Sequence, residues 1–64
     1  MNAEQLKGQW KQIRGEVRKQ WGKLTDEDLD RIGGEIQKLA GKIQEKYGVA
    51  KEVAEDQIKK FTRH

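Results

Sequence analysis

The chain has 64 residues, with 14 Lys and Arg, 11 Asp and Glu, one His, no Cys and no Pro, and a formal net charge of +3. Such a length is expected to form one small domain over 1–64, and the lack of Cys excludes disulfides, thiolate metal sites and thiol nucleophiles. Charged residues are 39% and hydrophobic residues 33%, mean hydropathy is −1.12, and no stretch approaches the ~18 consecutive apolar residues of a membrane span.

Leu6, Trp10, Ile13, Val17 and Trp21 recur at steps of four, three, four and four, the spacing that lines one face of an α-helix. This first helix is expected to run unbroken to Trp21 and stop there, with Gly22 in the left-handed position just past its end. Lys7, Lys11, Arg14 and Arg18 repeat the apolar spacing one residue later and form a basic stripe beside the buried face.

The strongest local signal follows. Thr25 precedes Asp26, Glu27 and Asp28, with Leu24 before the cap and Leu29 four residues after it. Thr25 is suited to accept from the backbone N–H of Asp28, Leu24 and Leu29 to pack as a staple, and the acids to sit at the positive end of the helix dipole. A short helix from Asp26 to Ile32 is predicted. Gly33 and Gly34 together cost about 2 kcal/mol relative to Ala inside a helix, so the chain should break or bend there. Ile36, Leu39, Ile43 and Tyr47 resume the helical period, predicting a helix over 35–47 that Gly48 stops. Val53, Ala54, Ile58 and Phe61 mark a last amphipathic helix, from Val49 or Ala50 toward His64.

Shifted on itself by 26 residues, the chain aligns Trp10 with Ile36, Ile13 with Leu39, Gly15 with Gly41, Val17 with Ile43, Trp21 with Tyr47, Gly22 with Gly48 and Ile32 with Ile58. Two origins fit this register: an internal duplication, or amphipathic helices of similar length that align readily. Either way the simplest architecture is all-α, two helical hairpins packed across each other. Gly15 and Gly41 fall mid-helix, where close approach of another helix is the usual reason for Gly. Leu, Ile, Val and Phe number 13 of 64, near the border of what sustains a folded core, so marginal stability is expected.

Three segments carry a family resemblance: Gly8-Gln9-Trp10-Lys11-Gln12-Ile13-Arg14-Gly15, Gln20-Trp21-Gly22-Lys23-Leu24-Thr25-Asp26-Glu27-Asp28-Leu29, and Leu39-Ala40-Gly41-Lys42-Ile43-Gln44-Glu45-Lys46-Tyr47-Gly48. In this order they strongly resemble the CsbD-like family of small bacterial general stress proteins, over nearly the whole chain. The resemblance implies a bacterial cytoplasmic protein induced under general stress, a compact four-helix fold of two orthogonally packed hairpins, and no enzymatic activity.

The residues by themselves point the same way on catalysis. His64 is the only histidine and the last residue, which leaves a His-based metal site or triad without partners. Asp26, Glu27, Asp28 and Asp30 lack the spacing and Gly of a calcium loop and are better read as helix-start acids. No cofactor is expected. Trp10, Trp21, Tyr47 and Phe61 could stack on single-stranded bases, yet their spacing among Leu and Ile assigns them to the core. The first helix is basic and amphipathic enough to lie on an anionic membrane, but Leu6, Trp10, Ile13 and Val17 are needed for folding.

Candidate nucleic-acid contacts are Lys7, Lys11, Arg14 and Arg18, together with Lys51 in Gly48-Val49-Ala50-Lys51-Glu52-Val53-Ala54. Clustered cations on a helix face form an electrostatic footprint, and that turn looks like a degenerate helix-hairpin-helix whose backbone amides can meet phosphate. The competing view is a solvated flank whose aliphatic stems cover the core. Net charge alternates along the chain, +3 over 1–22 and −3 over 23–35, giving a dipolar surface rather than one broad basic face. With 7 Gly in 64 residues and strong hydrophilicity, the composition is similar to that of hydrophilins, proteins associated with water deficit. A hydrophilin-like protectant is therefore the first functional expectation, a nucleic-acid-binding module the alternative, and an adaptor without a named partner the third. The oligomeric state expected is a monomer or weak dimer. No secretory signal is read at the start of the chain, so a cytoplasmic location is expected.

Overall fold

The computed structural model describes residues 3–62. Among them are five helices and no strand: α1 (Ala3–Gly8), α2 (Trp10–Gln20), α3 (Asp26–Ile32), α4 (Ile36–Tyr47) and α5 (Lys51–Thr62). The all-α class agrees with the sequence. The molecule measures 27 × 23 × 17 Å, with α4 packed on both α3 and α5.

The first helix expected from the sequence is in fact two. Gln9 leaves helical geometry at φ −105° and ψ 10°, and its carbonyl starts α2 by accepting from the N–H groups of Gln12 at 2.9 Å and Ile13 at 3.0 Å. Gly8 makes this a weak point for a helix, and the tertiary fold uses it. The Gly33–Gly34 turn lies directly on α1, where a Cβ on Gly34 would stand 2.6 Å from Lys7 Cα and 3.2 Å from the Leu6 carbonyl oxygen. The bend seats α1 on that turn while Leu6 enters the core with no exposure.

At the end of α2 the chain turns on Trp21 rather than on glycine. Trp21 has φ −124° and ψ 80°, and its N–H still reaches the Val17 carbonyl. Left-handed glycines among the described residues are Gly33, Gly34 and Gly48, so Gly22 does not take the conformation anticipated for it. The reason lies in the ring. Trp21 is swung inward until 2% exposed, its indole N–H donates to Gln57 Oε1 at 2.9 Å, and it stacks obliquely on Phe61 with centroids 5.2 Å apart.

The predicted start and end of α3 are observed. Thr25 Oγ1 accepts from the Asp28 N–H at 3.1 Å, the Asp28 carboxylate accepts from the Thr25 N–H at 3.0 Å, and both leucines of the staple are buried. Gly33 closes the helix in the left-handed region at φ 56°. α4 then begins at Ile36, one residue inside the predicted start, with Glu35 at the N-cap position making no side-chain cap, and Gly48 ends it at φ 65° with its N–H on the Gln44 carbonyl. Ala50 precedes α5 and accepts from the Ala54 N–H. The expected extension of this helix to His64 lies outside the described residues.

The core joins all five helices: Leu6 and Trp10, Val17 and Trp21, Leu24, Leu29 and Ile32, Leu39, Ala40 and Ile43, then Ala54 and Ile58. Ile13, Ile36, Tyr47, Val49 and Phe61 pack around it half-buried. Two expectations are corrected here. Val53 is 45% exposed, because Ala54, Ile58 and Phe61 at i, i+4 and i+7 define the inward stripe of α5. Gly15 and Gly41 are not helix contacts, since a Cβ on either would meet nothing within 4 Å. At these exposed sites glycine weakens its helix by about 1 kcal/mol relative to Ala, with no packing gained inside the fold.

Candidate functional site

The basic stripe divides where α2 passes α3. Arg14 Nη1 pairs with Asp30 Oδ1 at 2.7 Å and its Nη2 donates to the Asp26 carbonyl at 3.4 Å. Arg18 Nη1 pairs with Asp26 Oδ1 at 2.6 Å. Two ion pairs thus join the positive segment 1–22 to the negative segment 23–35 and neutralise them in part. Lys7 and Lys11 stay exposed, and no ion pair engages them among the described residues. Lys51 is also exposed but opens α5, a different helix. Of the five candidate contacts, Arg14 and Arg18 are ion-paired to α3, Arg18 while still exposed, and Lys7, Lys11 and Lys51 are exposed.

The Gly48 turn offers little more. Its glycine N–H is already bonded to Gln44, and Glu52 follows in the first turn of α5, where a carboxylate opposes an incoming phosphate. All four aromatic rings lie in or against the core, as their spacing predicts. The Trp10 indole N–H donates to the Leu29 carbonyl at 3.0 Å. Lys23 is folded over Tyr47, with Nζ 5.1 Å from the ring centroid, and its backbone N–H donates to the Tyr47 hydroxyl at 3.0 Å.

Asp28 is the most connected charged group. Besides the Thr25 N–H, its oxygens face Lys42 Nζ and Lys46 Nζ, each at 3.4 Å. Hydrogen bonding from the Thr25 backbone is the main reason its carboxyl lies at about 2, below the ordinary 3.8. Burial opposes that shift, and the Thr25 side chain, Lys46 and Lys42 reinforce it. One carboxylate therefore fixes the start of α3 and ties it to two lysines one turn apart on α4. Sequence reasoning identified the cap but missed this tie. Its trace was the Lys42–Lys46 pair at i and i+4, which shares one helix face.

Beside this node, between the end of α3 and α4, is an open groove of about 490 Å3 lined by Arg31, Ile32, Lys38, Gly41, Lys42 and Glu45. Among the described residues no cluster of three or more His, Asp or Glu is arranged to hold a metal ion, and no helix is long and apolar enough to cross a membrane. Buried side-chain nitrogen and oxygen atoms among them all have hydrogen-bond partners.

These features define a small helical protein with a closed apolar core and an ion-paired surface. Residues 4–56 match the CsbD-like family, and the chain belongs to that family. It is 50% identical over 64 residues to a UPF0337 protein of Pectobacterium atrosepticum, covering 100% of this chain and 93% of the relative. It is 45% identical over 62 residues to a UPF0337 protein of Pseudomonas aeruginosa, covering 97% and 95%. With the UPF0337 protein YjbJ of Escherichia coli it shares 50% identity over 58 residues, covering 91% and 84%. No solved structure matches the chain.

Proposed function

We propose that this chain acts as one non-enzymatic domain in the bacterial stress response, a cytoplasmic protectant whose hydrated, charge-dense surface separates aggregation-prone neighbours. The observation that carries this reading is the surface itself. Among the described residues Val53 is the one large hydrophobic side chain left exposed, while charged residues make up 39% of the sequence. Such a surface holds water and offers little apolar area on which an unfolding protein could nucleate aggregation. Membership of the CsbD-like family supports the stress assignment. The test is a dose series of the protein with an enzyme that loses activity on heating or drying. Recovery should rise with dose, and recovery no better than with an equal mass of an unrelated small protein would overturn the reading.

A nucleic-acid-binding role is the second reading, supported by exposed Lys7, Lys11 and Lys51 and weakened by the pairing of Arg14 and Arg18 with α3. Fluorescence anisotropy of labelled duplex and single-stranded DNA tests it, at low and at physiological salt. Replacing Lys7 and Lys11 with Gln should lower affinity and flatten its salt dependence, because fewer phosphates are neutralised. Absence of binding even at low salt would remove this reading.

A further inference from the structure

Two faces of opposite charge lie on different helices. The groove beside α4 carries three cations, Arg31, Lys38 and Lys42, against the single carboxylate of Glu45. On α5, a smaller depression of about 270 Å3 is lined by three carboxylates, Glu52, Glu55 and Asp56, against the single cation of Lys59. The four α5 residues fall at i, i+3, i+4 and i+7, so they form one helix face. Val53, the exposed hydrophobic side chain, adjoins it in sequence.

The groove is also open to a close approach at Gly41. Gly41 lies in the interior of α4 and nothing within the fold approaches it, yet beside Ile32 its missing side chain deepens the groove. We infer that this groove receives the outer face of α5 from a second copy of the chain, so that the protein associates head to tail. Glu52, Glu55 and Asp56 of one copy then meet Arg31, Lys38 and Lys42 of the next, and Lys59 meets Glu45. Lys42 keeps its partners Asp28 and Glu45 and adds only its charge, while the other two cations can exchange theirs. Arg31 pairs with Glu27 and Lys38 with Glu35 at exposed positions, where such pairs are weak and re-form easily. Because groove and α5 face are different surfaces, the contact is heterologous, and successive copies extend it or close it into a ring. Charge holds it together, so salt should dissolve it.

Sedimentation equilibrium of the full chain tests the assignment. At low ionic strength the weight-average mass should rise steadily with concentration above the 7.5 kDa of one chain, and fall back to it at high salt. A groove variant, Arg31→Gln with Lys38→Gln, and a helix variant, Glu52→Gln with Glu55→Gln, should each stay monomeric while keeping wild-type helicity by circular dichroism. Mixed in equal amounts they should form a dimer, because one supplies an intact α5 face and the other an intact groove. Gly41→Leu, which favours the helix while filling the groove, should also be monomeric. A wild-type chain that stays monomeric at low salt and high concentration overturns the inference. So does a mixture that never exceeds the monomer mass, or a Gly41→Leu protein that associates as the wild type does.

Discussion

Two aromatic–glycine turns, Trp21-Gly22 and Tyr47-Gly48, occupy equivalent places when the chain is shifted by 26 residues, and they are built differently. At the first, the aromatic residue leaves the helix, buries its ring and hands the chain to α3 through the Thr25–Asp28 capping box. At the second, Tyr47 remains the last helical residue and Gly48 makes the left-handed stop. Ala50, which precedes α5, has no side-chain oxygen with which to cap it. Anchoring therefore falls after the first turn and before the second. What decides between them is the destination of the ring: Trp21 reaches Gln57 and Phe61 on α5, whereas Tyr47 is half-buried against the core and uses its hydroxyl to hold Lys23.

Removing Trp21 should have the largest effect. Truncating a buried tryptophan to Ala costs about 3–5 kcal/mol, comparable to the whole stability that a core of this size supplies. Trp21→Ala should therefore be largely unfolded by far-ultraviolet circular dichroism at room temperature. Tyr47→Ala should retain a cooperative thermal transition, because its ring is only half-buried. Gly48→Ala comes next, at about 1–2 kcal/mol, since a Cβ is disfavoured in left-handed geometry, and a lowered urea midpoint would register it.

Thr25→Ala should cost about 1 kcal/mol, the usual worth of a side-chain cap, while the acid sensitivity that Asp28 confers should largely persist, because the backbone N–H of residue 25, Lys42 and Lys46 all remain. The folded Asp28 carboxyl is at about 2 against an ordinary 3.8. Because the folded value is depressed, the stabilisation is complete above the ordinary value and disappears as pH falls from 3.8 through about 2. Thermal midpoints measured downward from pH 7 should show this acid limb in the wild type. In Asp28→Asn the midpoint should be lower at pH 7, and its gap from wild type should narrow toward pH 2. Tyr47→Phe should cost less again, about 0.5–1 kcal/mol for one neutral hydrogen bond.

Much of this arrangement was legible because it is local. Thr25, Asp28, Leu24 and Leu29 lie within six consecutive residues, so their cap and staple follow from short-range geometry. The Gly33–Gly34 break and the Gly48 stop are also properties of single residues. The split at Gln9 was not legible, because it depends on Gly34 touching Lys7 across the fold. The candidate stripe was visible as a spacing of cations. Its partial neutralisation was not, since Arg14 meets Asp30 and Arg18 meets Asp26 only after α2 and α3 pack. Charge alternation in the sequence implied a dipolar chain, but the pairing that folds the dipole on itself depends on which helices become neighbours.

The smallest expected effect discriminates most sharply between the two turns. If the repeat governed local structure, Gly22 would need left-handed geometry as Gly48 does, and Ala at either position would cost the same. Gly22 instead lies outside the left-handed region, and a Cβ there would meet nothing within 4 Å. Replacing such a glycine restricts the unfolded chain without straining the folded one, so Gly22→Ala should gain about 0.5 kcal/mol. Urea midpoints moving in opposite directions for Gly22→Ala and Gly48→Ala would mean that the buried Trp21 ring, and not the repeated dipeptide, determines how the chain turns. A loss at both positions would mean that Gly22 needs the left-handed turn after all.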